Sequence, residues 1–330
     1  MNVGGELTGE TVGTATSTAS AGVATFTNLG LGGRSGIAYT MSYGATLNGV
    51  AHQAATQSVT PTPGTATTVS IQVSADGAVV GQPFNVQPRV VILDEYGNTV
   101  PSSGQVVTAT ISSGATLIGT TSRSTNANGI AIFSNLGIRG TSGTVYTLSF
   151  ALDGYQATTQ SIPVNAGAAA RLALTSESSG IAAGSAFTTQ PQVQVKDADG
   201  NLVTTSTATV TATITQVDGV GSLVGTTSVS AVNGVASFTN LGIDGRAGTA
   251  YRITYSALGL TSTSEFLTVS IGAPVSIEFI DQSVGTASGA AFTRQPRLVV
   301  KDASGNVVTG YVTPVTATVT LANGNVGGSL

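Results

Sequence analysis

The sequence predicts an all-β protein built from tandem β-sandwich domains, and three observations carry that reading. Val, Ala, Leu and Ile interleave with Thr and Ser through most of the 330 residues, a mixture that suits half-buried strands. A nine-residue string returns at a spacing near 105 residues, the size of one sandwich domain. Gly, at 43 residues, clusters with Asn and Asp at the breaks between apolar runs, where strands turn.

The returning string is Gly22 to Gly30 (GVATFTNLG), then Gly129 to Gly137 (GIAIFSNLG), then Gly234 to Gly242 (GVASFTNLG). Phe26, Phe133 and Phe238 are spaced by 107 and 105 residues. A second marker, Gln-Pro followed by alternating apolar residues and Asp-x-x-Gly-Asn, spans Gln87 to Asn98, Gln190 to Asn201 and Gln295 to Asn306. A third is Gly-Thr-x-Tyr at Gly143 to Tyr146 and Gly248 to Tyr251, with the variant Gly36 to Tyr39.

Seven strands are expected in the middle copy: Arg171 to Thr175, Gln192 to Lys196, Thr207 to Thr215, Leu223 to Ser230, Val235 to Asn240, Tyr251 to Ala257 and Ser264 to Ser270. The second alternates Val193 and Val195 with Gln194 and Lys196, the period-two pattern of a strand buried on one face. The sixth keeps Tyr251, Ile253 and Tyr255 on one parity, as do Tyr146, Leu148, Phe150 and Tyr39, Met41, Tyr43 in the other copies. An inward face that repeats while the outward face drifts is what a packed core and a wet surface require. The fold expected is a series of immunoglobulin-like sandwiches of about 105 residues each.

The pattern V-x-V-x-D-x-x-G-N-x-V at Val193 to Val203, V-T-A-T-I at Val210 to Ile214, and N-G-x-A-x-F at Asn233 to Phe238 resembles the bacterial immunoglobulin-like repeats of the invasin and intimin type. The resemblance extends over essentially the whole chain. It implies a module of long bacterial surface proteins, outside the cell. It implies no activity, and no receptor site is carried over.

The phase of the repeat predicts the organisation. Short connectors lie at Pro61 to Gly64, Asn165 to Gly167 and Ile271 to Pro274. Residues 64–165 and 166–272 read as whole domains, 1–63 as the second half of a sandwich and 273–330 as the first half. Asn2 to Leu7 nearly repeats Asn325 to Leu330, so the two halves are expected to be complementary. A half-sandwich exposes an apolar face and unpaired edges, which a free soluble domain does not tolerate. Residues 273–330 of one chain are therefore expected to complete residues 1–63 of the next. The joint would hold Leu7, Phe26 and Tyr39 from one side and Phe292, Leu298, Val300 and Leu330 from the other. The expected partners are further copies of the chain, head to tail, and the function is that of a fibre subunit. The alternative is the stalk or binding module of a surface adhesin.

Composition argues against most chemistry. There is no Cys, which excludes disulfides and thiolate sites, and His52 is the single histidine, which excludes HExxH zinc sites. The two lysines, Lys196 and Lys301, each precede Asp, so no GK[ST] phosphate loop exists. No G-x-S-x-G elbow is present. A net charge of -4 from 15 acids and 11 bases offers no basic stripe to a nucleic acid. No apolar run nears the roughly 18 residues of a membrane span. No enzyme activity, cofactor or metal is expected.

Asp94, Asp197 and Asp302, with the Gly-Asn pairs that follow, could be read as calcium ligands. The hairpin-turn reading is the stronger, because each copy supplies only one or two carboxylates and calcium takes six to eight oxygens. His52 reads as an exposed or edge residue. A lateral contact is expected at Val91 and Leu93, which occupy the outward positions held elsewhere by Gln194 with Lys196 and by Val299 with Lys301.

Overall fold

The computed structural model describes residues 9–215, 221–285 and 287–320. All regular elements among them are strands, and all strand ladders are antiparallel. The chain divides into two compact units, Met1–Gly167 and Ala168–Leu330.

The first unit opens with β1 (Glu10–Val12) and β2 (Gly30–Gly32), which pair with each other. A long hairpin follows, β3 (Tyr39–Leu47) and β4 (Val50–Val59). Its turn is Asn48-Gly49, with φ of 50° and 76°, the positive pair that a two-residue hairpin of this twist demands.

Ten strands complete this unit: β5 (Ala66–Val73), β6 (Gln82–Pro83), β7 (Arg89–Asp94), β8 (Val106–Ile111), β9 (Thr116–Ile118), β10 (Ser122–Ser124), β11 (Ile130–Ile132), β12 (Gly137–Arg139), β13 (Val145–Ala151) and β14 (Thr158–Pro163). One sheet runs β10-β8-β13-β14 and another β11-β7-β5, with β12-β9 as a short third. Between them lies the core, where Val90, Ile92, Phe133, Leu148, Phe150 and Ile162 are all but sealed from water. Phe133 and Phe150 meet with ring centroids 5.3 Å apart and planes tilted 51°, a favourable aromatic geometry.

The second unit repeats the plan with β15 (Ala169–Ser176), β16 (Ser185–Ala186), β17 (Gln192–Asp197), β18 (Thr209–Thr215), β19 (Gly221–Val224), β20 (Ser228–Ser230), β21 (Val235–Ser237), β22 (Gly242–Gly245), β23 (Ala250–Ser256) and β24 (Thr263–Thr268). Its sheets are β20-β18-β23-β24, β15-β17-β21 and β16-β22-β19. It ends with β25 (Pro274–Asp281) paired to β26 (Arg297–Asp302). Tyr251, Ile253 and Tyr255 point inward as the parity predicts, at 1%, 0% and 0% exposure.

Two strand expectations need correction. Leu223 to Ser230 is two strands, β19 and β20, because the chain changes sheet at Gly225. That glycine has φ +80°, and a Cβ on it would sit 1.9 Å from the Asn240 carbonyl oxygen. No side chain fits there, so Gly is required at the crossing. The sequence does not announce the short strands β16 and β22, since two to four residues carry no readable period.

Candidate functional site

The repeat allows each position to be compared across copies, and the comparison locates the open surface. Val69 and Leu172 are 6% and 5% exposed, while Ile277, at the same place on β25, is 49% exposed. Phe84 and Phe187 are buried, whereas Phe292 is 41% exposed. Val90 and Val193 have no exposure, and Leu298 on β26 has 41%. On the other side, Phe133 and Phe238 are buried and Phe26 is 36% exposed. Tyr39 and Val300 are half-buried. Leu7 and Leu330 lie outside the described residues.

Backbone pairing tells the same story. In the copy at residues 64–165, β7 pairs with β5 on one edge and β11 on the other, and β17 likewise pairs with β15 and β21. Among the described residues β26 pairs with β25 alone. Along residues 297–299 its second edge carries no described strand, while the Val300 carbonyl accepts the Val308 N–H at 2.9 Å. Residues 23–25, the counterparts of β11, belong to none of the described strands.

Glutamines at two positions of the repeat bind backbone from distant segments. Gln87 donates from Nε2 to the Phe84 and Leu136 carbonyls at 2.8 and 2.9 Å and accepts the Leu136 N–H at 2.9 Å. Gln190 does the same with Phe187 and Leu241. The Gln-Pro marker is thus a stitch between strand segments distant in sequence. Gln295 makes the bond to Phe292 at 3.1 Å, and the counterpart of Leu136 and Leu241 is Leu29. A second glutamine, Gln160, brackets Ala75 by accepting its N–H and donating to its carbonyl, both at 2.9 Å. By register, Gln57 holds the position of Gln160, and Ser283 that of Ala75.

The Asp-x-x-Gly-Asn segments are turns whose carboxylates are fully engaged. Asp94 accepts the N–H groups of Gly64, Tyr96 and Asn98 at 2.8, 3.0 and 2.8 Å, and the Asn98 amide at 2.9 Å. Asp302 repeats this with Gly272, Ser304 and Asn306. Among the described residues no three His, Asp or Glu side chains converge as a metal site would need. Burial disfavours the charged form of Asp94 and Asp302, yet the hydrogen bonds outweigh it and hold both carboxyls below their ordinary value of 3.8.

A pH dependence follows. A depressed carboxylate contributes stability above its unfolded pKa and loses it as pH falls through the folded one. Thermal melts are expected to hold level from pH 8 to about 5 and to fall steadily below about pH 4. Asp94→Asn should flatten part of that fall; an unchanged acid limb would disprove the assignment.

His52 is exposed on β4, opposite Ala45. Val91 is 4% exposed on the face of β7 opposite the core, and Leu93 is half-buried there. Among the described residues no helix is long and apolar enough to cross a membrane.

No protein-family model matches the chain, and no curated protein matches it. Several solved structures align with parts of the chain at low TM-score. The Escherichia coli adhesin FdeC is 19% identical over 75% of this chain and 78% of its own, with a TM-score of 0.39. Invasin, a bacterial integrin-binding protein, is 20% identical over 74% of this chain and 48% of its own, at 0.31. A β-glycosidase from Bacteroides vulgatus is 14% identical at 0.28; the alignment covers 61% of this chain but 24% of the enzyme. The chain thus spans about a quarter of that enzyme and about half of the invasin structure.

Proposed function

We propose that this chain is a structural segment of an extracellular fibre on the bacterial cell surface. In this reading its copies join head to tail, residues 273–330 of one completing the sandwich begun by residues 1–63 of another. The carrying observation is the position-by-position contrast between Leu298 at 41% exposure and its sealed equivalents Val90 and Val193. Apolar area of this kind gains about 25 cal/mol for each Å² removed from water. The complementary partner is defined by register: Val91 faces Ile130 and Gln194 faces Val235, so Val299 would face Val23, and Leu298 would face Ala24. Addition of a missing strand to an open edge is a known mode of association. The contact joins unlike surfaces and so propagates into an open fibre.

A lateral contact through Val91 and Leu93 belongs to the same proposal. Val91 is already 4% exposed, so Leu93 would supply most of what that contact buries.

The absence of native cysteine makes cross-linking a clean test. Chains carrying Val23→Cys and Val299→Cys together should form a disulfide-linked ladder under mild oxidation. Ala24→Cys with Val299→Cys should not, since adjacent residues of a strand point to opposite faces. A monomer with an internal disulfide, or no cross-link in either pair, would refute head-to-tail completion.

A further inference from the structure

We infer that the Asp-x-x-Gly-Asn turn at Asp94 and at Asp302 is a keyed joint that locks its repeat to the one before it within the same unit, with asparagine reading the neighbour's backbone and one side-chain pair setting the fit. The turn lies at the start of its own repeat, but its asparagine reaches out of it. Asn98 is 5% exposed. Its Oδ1 accepts the Ser35 N–H at 2.8 Å, and its Nδ2 donates to the Gly33 carbonyl at 2.9 Å. Those partners lie 63 and 65 positions earlier in the chain, across the Pro61 to Gly64 connector. The second unit holds the same arrangement independently. Asn306 accepts the Ala247 N–H at 2.9 Å and donates to the Gly245 carbonyl at 3.0 Å, across the Ile271 to Pro274 connector. In both, the aspartate accepts a connector N–H, from Gly64 or Gly272, at 2.8 Å.

One amide that donates and accepts at once cannot be replaced by a carboxylate, which only accepts, or by an apolar group. The connector is fixed at the aspartate and the preceding loop at the asparagine. Two anchor points on opposite sides of a short connector leave little freedom to swing.

The remaining turn residue supplies the key. Tyr96 lies over Gly32, so closely that a Cβ on Gly32 would come within 2.2 Å of the phenol oxygen. The Glu10 carboxylate, first among the causes, together with burial and the Glu95 charge, pushes the Tyr96 pKa up to about 12. In the second unit the same two places hold Ser304 and Asp244, joined by a hydrogen bond from the serine hydroxyl. A large side chain meets a glycine in one joint, and a small hydroxyl meets a carboxylate in the other. The pairs are not interchangeable, so each joint accepts its own neighbour.

The full-length chain, free of native cysteine, can carry spin labels at the exposed positions Thr40 and Thr110, one on each side of the first joint. Pulsed dipolar spectroscopy should give one narrow distance distribution for the parent chain. Asn98→Ala and Gly32→Ala are each expected to broaden it about twofold or more, and Gly32→Ala with Tyr96→Ser should narrow it again, by removing the clash. Circular dichroism checks that every variant remains folded. Should Asn98→Ala fail to fold, the glycine pair decides alone: recovery in the double variant supports the keyed joint. Widths that stay at the parent value in Asn98→Ala and Gly32→Ala, or that fail to recover in the double variant, would overturn it.

Discussion

Phe133→Ala is expected to destabilise its repeat by about 3–5 kcal/mol, and Phe238→Ala by a similar amount, while Phe26→Ala costs about 1 kcal/mol or less in the dilute chain. The three residues hold one position in the repeat, so side-chain chemistry is constant and only surroundings differ. Phe133 stacks on Phe150 and Phe238 on Tyr255, at centroid separations of 5.3 and 5.5 Å, inside closed cores. Truncation there loses transfer energy and leaves a cavity that a packed interior cannot fill. Phe26 touches Tyr43 at 5.8 Å but keeps 36% of its surface in water. Hydrogen exchange read repeat by repeat is the suitable measurement, because several domains do not melt as one transition. If the chain assembles as proposed, the cost of Phe26→Ala should rise toward that of its equivalents at high concentration.

The second large effect concerns Glu265, a carboxylate 5% exposed on β24. It accepts the Ser178 N–H and hydroxyl at 2.8 and 2.7 Å and the Tyr255 hydroxyl at 2.5 Å. Glu265→Leu strands three donors in a dry interior, and each orphaned group costs about 1–3 kcal/mol. A loss of about 3 kcal/mol or more is expected, against a much smaller one for Glu265→Gln. The glutamine is not arbitrary: Gln160 occupies this position in the preceding repeat and spans the backbone there instead. Burial, followed by the bond to Glu265 and its charge, raises the Tyr255 pKa. A raised phenol contributes stability below its unfolded pKa and loses it as pH rises, so the repeat should weaken above about pH 10. Equal losses for the two substitutions would show that the network contributes nothing specific.

What could be read in the sequence was whatever repeats at short range. The parity of Tyr251, Ile253 and Tyr255 is visible because a strand alternates every residue, and the structure buries all three. The turn at Asp94 to Asn98 is visible because Gly and Asn mark positive φ, which Gly97 adopts at 75°. The reach of Asn98 to Gly33 is not visible, since nothing local distinguishes an amide that closes its own turn from one that crosses a connector. Gln87 was legible as a recurring marker, but its bond to Leu136, 49 residues on, depends on two loops meeting. The break at Gly225 was hidden for a related reason: the residues on either side both suit strands, and only the Asn240 carbonyl forces the change of sheet.

The open edge of β26 also bears on how such a chain reaches its native state. An edge of this pattern selects its partner by alternation and register, and the chain holds three closely similar candidates, at residues 23–25, 130–132 and 235–237. While β11 or β21 is still unpaired during folding, either can be captured by the wrong edge, the characteristic error of neighbouring repeats with like sequences. Arg297 and Lys301 hold ion pairs with Asp281 and Glu278 on β25. Neither β7 nor β17 presents that same charge pattern, since Leu93 and Gln192 replace one member each. Charges at an edge discourage unintended pairing. Divergence between copies would thus favour the β25–β26 pairing over mispairing with a like strand while the polypeptide is being made.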